Sequence, residues 1–302
     1  MRLIKFLICC VSVLIFSINT INAQTNILNT NKVENIGVKT DQQIEVDLND
    51  KPLPYGYTSN DDVLWSKVVW EVIDLNQKIN HPFYYPTDLT SVGTDRLSLF
   101  NTLQLSVENK DFKIYKDNYF TEELSLKELK EVMVSKCNNG LTEEILPKEI
   151  DRFKIKGMWY FDKRQGELKY RLIGIAPLFG FDAGAQCSQE EARDDFERDN
   201  PDETFKYPTP DKYEELYWVF YPEARQFLHD SKVFNPDNSV SPVSFDHLLN
   251  ARRFSSVIVQ EENVYGNRKI SDYIKDNSLF QLLEAEKIKE DIRNREMDMW
   301  NY

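Results

Sequence analysis

Two neighbouring segments in the middle of the chain alternate apolar and polar residues with a period of two. The first runs from Phe153 to Phe161 and the second from Leu168 to Leu172, and the turn-like sequence 162–167 lies between them. A period of two is the spacing of a β-strand with one buried face, and a short polar linker joins two such strands into a hairpin. The run 173–178 continues the second strand as a more buried segment. The chain must therefore contain an antiparallel sheet.

A long apolar segment before this hairpin predicts a helix from about Asp61 to Asn80. Ser59 and Asp62 have the spacing of a capping box, and the helix would end at His81. The apolar residues fall on several stripes of such a helix rather than on one. A helix of this kind must be buried on more than one side, either in the core or against another protein.

Further elements are interleaved irregularly around the hairpin. Ser125 and Glu128 form a second capping-box pair at the start of a helix. Helices are expected at 94–103, 125–137, 222–229, 245–249 and 271–295, and strands at 112–115, 216–221 and 256–260. This order predicts an α+β fold with a central, mostly antiparallel sheet and flanking helices.

The chain divides into a targeting segment, a leader and one domain. Two basic residues, an apolar run of about a dozen residues and a small residue at Ala23 predict a signal peptide over 1–23, cleaved before Gln24; the alternative is an uncleaved anchor. Residues 24–60 are polar and predict an extended or disordered leader. Residues 61–302 form a single domain with an acidic insertion at 182–211.

Charge and cysteine content limit the partners and the covalent structure. The formal net charge is −13, which opposes binding to nucleic acid and to anionic lipid surfaces. No segment after the targeting sequence is long and apolar enough for direct membrane insertion. Cys137 and Cys187 remain after signal cleavage. They form a disulfide or stay as two buried thiols, and the sequence favours neither alternative.

The patterns that usually accompany catalysis are missing from the sequence. The glycines fit neither a dinucleotide-binding nor a P-loop spacing, and there is no GxSxG elbow. His81, His229 and His247 stand far apart, outside zinc-site spacing. The acidic run near Asp195 lacks the order of an EF-hand loop. We therefore predict no catalytic, cofactor-binding or metal-binding residues and no enzymatic activity.

Aromatic residues are abundant and clustered. They make up 13% of the chain, and aromatic side chains are typical anchors of protein interfaces as well as of cores. Most of them are expected to fill the core. The candidate partner-binding residues are Trp65, Trp70, Tyr84, Tyr85, Met299, Trp300 and Tyr302. An apolar, aromatic tail after a charged helix is unusual because chain ends are mostly polar. It either docks onto a partner or a neighbouring copy, or packs back onto the core of its own subunit.

The segment from Asp62 to Asp74, continued by 78–86, resembles the opening of the GldN/PorN family. The residues 97–100, Ile173 to Pro177, and Trp218 to Arg225 also look like that family, and the resemblance covers about residues 55–290. It rests on a long segment rather than on a short motif.

This resemblance implies a non-catalytic, periplasmic subunit of the gliding-motility and type IX secretion machinery of Bacteroidota. It also implies assembly into large rings with an outer-membrane lipoprotein of the GldK/PorK type, and contact with the periplasmic part of a GldM/PorM-type motor protein. The association with the outer membrane would then come through a partner. The alternative is a secreted enzyme or a ligand-binding domain of unrecognised type.

Overall fold

The computed structural model describes residues 45, 49–87, 96–109, 111–136, 142–181, 212–233, 243–275 and 277–299. Several of the sequence predictions lie outside these residues. They concern the signal peptide with Ala23 and Gln24, Cys137 and Cys187, the insertion 182–211, and Trp300 and Tyr302.

The predicted α+β class is confirmed, with a seven-stranded, mainly antiparallel sheet as the largest sheet of the described residues. Its strand order is β11-β1-β5-β6-β8-β2, and β7 pairs with β6 outside this path. The strands are β1 (Val63–Asp74), β2 (Ile114–Tyr115), β3 (Val134–Lys136), β4 (Thr142–Glu144), β5 (Arg152–Asp162), β6 (Glu167–Phe181), β7 (Lys212–Glu215), β8 (Trp218–Phe220), β9 (Lys232–Val233), β10 (Val243–Ser244) and β11 (Val257–Glu261). The helices are α1 (His81–Tyr84), α2 (Leu99–Glu108), α3 (Leu126–Val132), α4 (Tyr221–Asp230), α5 (Phe245–Asn250), α6 (Ile270–Tyr273) and α7 (Ser278–Met299). Two small two-stranded sheets, β3-β4 and β9-β10, lie beside the main one.

The predicted hairpin is confirmed and forms the centre of the sheet. β5 and β6 pair antiparallel from Arg152 opposite Leu178 to Asp162 opposite Glu167. The register shifts at Gly157, where an added Cβ would lie only 2.0 Å from the hydroxyl oxygen of Tyr170. Glycine at this position therefore lets the Tyr170 ring lie directly against the neighbouring strand.

The predicted helix from Asp61 to Asn80 is wrong, because this segment is mostly the strand β1. The capping-box spacing marks a single 3-10 turn, Asn60–Asp62, without a side-chain cap. In the strand, successive side chains point to opposite faces, and Val69 and Trp70 are both almost fully buried, at 0% and 1% exposure. β1 is thus covered on both faces, and continuous apolar sequence of this kind does not distinguish a buried strand from a buried helix.

Most of the other predicted elements are confirmed with shifted ends. The helices α2, α3, α4 and α5 and the strands β2, β8 and β11 lie within the predicted segments or within a few residues of them. The C-terminal segment differs, since it holds two helices, α6 and α7, instead of one. The Asn277 side chain accepts a hydrogen bond from the backbone of Phe280 and so caps the start of α7. A new helix therefore begins at Ser278.

The core has one large part and two smaller ones on opposite faces of β1. The large cluster packs the helices α2, α4 and α5 against the sheet. Val69 belongs to a second cluster with Ile258, Ala285, Ile288 and Ile292, which joins α7 to the sheet. Trp70 belongs to a third cluster with Trp218, on the other face. α7 is therefore held to the domain by one face of its middle and C-terminal turns.

The end of the predicted leader is attached to the domain by polar contacts. Tyr55 donates a hydrogen bond to the Asn250 side chain at 2.9 Å, and its ring lies 4.1 Å from the guanidinium carbon of Arg225. Arg225 also donates to the backbone oxygen of Leu53 at 2.7 Å. This part of the leader has no regular secondary structure but has a defined path across α4 and α5.

The capping box of α3 gives a prediction about pH. Glu128 accepts hydrogen bonds from Lys116 and from the side chain and backbone of Ser125, and these bonds lower its pKa from 4.5 to about 2. Its contribution to stability is therefore present above pH 4.5 and is lost as the pH falls toward 2. We expect NMR titration to give Glu128 a pKa near 2, and Lys116→Met to raise that pKa. A Glu128 pKa that stays at its ordinary value in the wild-type chain would contradict the capping geometry.

Candidate assembly surface

The described residues hold no arrangement suited to metal binding. No group of three or more His, Cys, Asp or Glu side chains among them is placed to hold an ion. Among the helices that the structure describes, none combines the length and the apolar composition needed to cross a bilayer.

One buried polar cluster joins α4, α5 and the leader. The Asp246 carboxylate accepts hydrogen bonds from Arg225 Nε at 2.9 Å, from the Tyr221 hydroxyl at 2.7 Å and from the Asn250 side chain at 2.8 Å. Burial raises the pKa of Tyr221, and the Asp246 charge raises it further. Because all these groups bond to each other, the cluster stabilises the fold and leaves no group free for chemistry.

A second buried ion pair lies beneath α7. Glu71 is almost fully buried and pairs with both terminal nitrogens of Arg252, at 3.1 and 2.8 Å, and it also accepts a hydrogen bond from Ser256. The guanidinium carbon of Arg252 lies 4.0 Å from the centre of the Tyr170 ring. Burial alone would lower the pKa of Arg252, but the charge of Glu71 raises it overall. This pair is internally satisfied and therefore structural.

A buried lysine ties a surface loop to the sheet. Lys156 lies on β5 and donates a hydrogen bond to the backbone oxygen of Asn118 at 2.8 Å, and its ammonium lies 4.4 Å from the Tyr119 ring centre and 5.2 Å from that of Trp70. Burial lowers the pKa of Lys156. Aromatic faces attract a cation of this kind, so its role is to hold the loop 117–120 over the sheet.

The clearest feature of the surface is a set of exposed apolar side chains at the end of α6 and the start of α7. These side chains are between 41 and 64% exposed. We call this surface the α7 apolar face, and it comprises Tyr273, Leu279, Phe280, Leu282 and Leu283. A groove of about 540 Å³ lies between α6 and α7, partly lined by Tyr273, Phe280 and Leu283. Large apolar side chains exposed side by side, unlike single scattered ones, are a mark of interaction sites.

The α7 apolar face is exposed because the opposite side of the helix already meets the sheet. Ala285, Ile288 and Ile292 are buried in the cluster with Val69 and Ile258. The outer side of the following turns is charged and carries three i,i+3 ion pairs, of which Glu286 with Lys289, at 2.9 Å, is the shortest. The outer side of the middle turns of α7 therefore presents charged groups to solvent, whereas the first turns present apolar surface.

The structure separates the residues that the sequence proposed as partner-binding. Trp70 is inside the fold, and Trp65 is half-buried against the cluster beneath α7. Tyr84 is half-buried and donates a hydrogen bond to the backbone oxygen of Lys148, whereas Tyr85 is exposed. Met299 is half-buried at the end of α7. Trp70 is therefore a core residue, and Tyr85 is the most exposed of the candidates that the structure describes.

The sequence predicted one helix over 271–295 and did not identify Leu279, Leu282 and Leu283 as an exposed surface. The sequence did contain one sign of this exposed surface, namely the number of large apolar residues in the segment. Four large apolar residues stand within five consecutive positions from Leu279 to Leu283, and one buried helical face does not accommodate all of them.

Comparison with protein-family models finds a match that covers most of the chain. The model for the gliding motility associated protein GldN matches residues 58–301. A comparison with curated protein sequences gave no match. The matched segment covers β1, the hairpin and α7, and so includes both the sheet and the α7 apolar face. The chain belongs to the GldN family of gliding motility associated proteins.

Proposed function

We propose that this chain is a non-catalytic, periplasmic subunit of the type IX secretion and gliding-motility machinery. In this proposal it assembles in many copies with an outer-membrane lipoprotein of the GldK/PorK type and contacts the periplasmic part of a GldM/PorM-type motor protein. The family membership supports the role in gliding motility. The signal-peptide pattern of residues 1–23 supports secretion across the inner membrane.

The α7 apolar face is the observation that carries the proposed role in assembly. Leu279, Leu282 and Leu283 expose large parts of their side chains to solvent. Burying a leucine completely contributes about 1.5–3 kcal/mol relative to leaving it exposed. A subunit that works alone gains nothing from such a surface, whereas a subunit that is bound permanently gains a large part of its binding free energy there.

The buried polar clusters agree with a structural role. Each of the two clusters contains one buried carboxylate, Asp246 in the first and Glu71 in the second. Each carboxylate is paired with an arginine of its own chain. A catalytic acid or base needs access to a substrate proton within hydrogen-bond distance. Neither group has that access, and we therefore assign both to the stability of the subunit.

We propose that the lipoprotein docks on the α7 apolar face, and substitution of that face tests this. Leu282→Ser with Leu283→Ser is expected to weaken co-purification with the lipoprotein at least about tenfold, since one lost apolar contact of about 1.4 kcal/mol has that effect. The melting temperature should change little because both side chains are already exposed in the free subunit.

Leu53→Ser with Tyr57→Ser is the matched control, because both side chains are exposed on the leader, away from α7. This control should bind the lipoprotein like the wild-type chain. Wild-type co-purification of the Leu282→Ser/Leu283→Ser variant would contradict the proposed docking surface.

A further inference from the structure

A tight turn after β11 presents two apolar side chains directly to solvent. Val264 is 91% exposed and Tyr265 is 70% exposed. We call the segment Asn263–Arg268 the β11 knob. Exposed apolar residues are common singly, but here two adjacent ones stand at the tip of a turn whose backbone is fixed by side-chain hydrogen bonds.

Two asparagines fix the conformation of the β11 knob. The Asn263 side chain accepts hydrogen bonds from the backbone of Tyr265 at 3.0 Å and of Asn267 at 3.1 Å. The Asn267 side chain accepts from the backbone of Asn263 at 3.0 Å and donates to the Tyr119 hydroxyl at 3.2 Å. Gly266 and Asn267 both have positive φ, as the turn requires. A turn that is ordered before binding loses little conformational entropy when it binds.

The β11 knob carries a cation as well as apolar surface. The guanidinium carbon of Arg268 lies 5.0 Å from the centre of the Tyr265 ring. Arg268 is exposed and forms no ion pair with any described residue. Tyrosine and arginine are the residues most often found at the energetic centre of protein interfaces. The surface that fits this knob is an apolar pocket with a carboxylate at its edge.

The same chain offers such a pocket elsewhere, in a cleft of about 420 Å³ between α7 and the sheet. Its apolar lining consists of the half-buried Trp159 and Leu168 and of the buried Ile258 and Ile292, so Trp159 and Leu168 offer most of the accessible apolar surface. The two polar groups at its floor, Glu71 and Arg252, are bonded to each other. The described lining therefore offers no free polar group at the floor to orient a small ligand.

The rim of this cleft supplies the matching charge. Glu286, Glu290 and Glu296 line it together with Lys289 and Arg293. Glu286 pairs with Lys289, and Glu290 pairs with Arg293. Glu296 has no ion pair among the residues that the structure describes. An unpaired carboxylate at the cleft thus complements the unpaired Arg268 of the knob.

We propose that the β11 knob of one copy inserts into the cleft between α7 and the sheet of a second copy of this chain. Val264 and Tyr265 cover the apolar lining, and Arg268 pairs with Glu296 of the other copy. This inference rests on the proposed function and deepens it, since it names the surfaces by which copies meet. Because knob and cleft are different surfaces, each copy can engage its neighbours through both.

The test is sedimentation of the purified mature chain over a range of concentrations, without the lipoprotein. We expect reversible association that Tyr265→Asp weakens at least about 30-fold, the effect of losing one interface hot spot. Tyr57→Asp is the control, since it places the same charge on an exposed tyrosine of the leader. It should leave association unchanged. The melting temperatures of both variants should equal that of the wild-type chain.

A charge exchange tests the pairing of the two surfaces. Arg268→Glu and Glu296→Arg should each weaken association about tenfold, and the double variant should restore it to within about threefold of the wild-type chain. A chain that stays monomeric up to about 1 mM, or a double variant that is no better than the single ones, would overturn the inference. Lipoprotein docking is measured in a separate experiment. A failure of self-association would therefore contradict this inference without contradicting the proposed function.

Discussion

Asp246→Ala is expected to destabilise the domain by about 3–5 kcal/mol, because it leaves a buried arginine without its partner. Asp246 accepts two hydrogen bonds from Arg225, which is itself only slightly exposed. Tyr221 and Asn250 lose their acceptor as well. Urea denaturation should show a lower midpoint with an unchanged slope.

Asp230→Ala is the matched control for this prediction. Asp230 lies at the exposed end of α4 and accepts a single side-chain hydrogen bond, from Gln226, so its removal should change the free energy of unfolding by no more than about 0.5 kcal/mol. The double variant Arg225→Met/Asp246→Leu should recover much of the loss, because it removes both buried charges together. A loss of less than about 1 kcal/mol for Asp246→Ala would show that the cluster is not buried as described.

Trp70→Ala is expected to cost about 3–5 kcal/mol, the usual range for removing a large buried aromatic side chain. Trp70 packs with Trp218 on one face of β1, where its side chain is almost fully buried. Trp65→Ala on the same strand should cost clearly less, because Trp65 is only half-buried.

Leu64→Ala provides a third point on this strand, since Leu64 is exposed, and it should have little effect on stability. Thermal or urea unfolding of the three variants measures how much each substitution lowers the free energy of unfolding, and we expect the largest loss for Trp70→Ala and the smallest for Leu64→Ala. Equal losses for Trp65→Ala and Trp70→Ala would contradict the burial pattern of β1 and favour a different packing of this segment.

The sequence alone predicted correctly those elements that are specified by residues close together in the chain. The hairpin of β5 and β6 follows from a period of two around a polar turn, and α3 follows from the Ser125 and Glu128 capping box. β1 was misassigned because its neighbours on both faces are distant in sequence. Its pairing with β5 joins Val69 to Gly157, and nothing within the segment itself reveals such contacts.

The candidate surface was only partly predictable, for a similar reason. The C-terminal helix and its excess of apolar residues are visible in the sequence. Which of its sides meets the sheet depends on the contacts of Ile288 and Ile292 with β11 and its neighbours. With these contacts in place, Leu279, Leu282 and Leu283 remain exposed. The β11 knob depends likewise on hydrogen bonds between Asn263 and Asn267, which residue types alone do not specify.

Hydrogen exchange of the subunit, free and bound to the lipoprotein, tests the central proposal most directly. The first turn of a helix frays and exchanges its backbone amides more quickly than the helix centre when it is exposed. The amides at the start of α7 lie next to Leu279, Phe280 and Leu283. We predict that the complex slows exchange across 278–284 at least about tenfold, while α4 and α5 exchange as in the free subunit. A stable complex in which the start of α7 exchanges at its free rate would contradict docking on the α7 apolar face.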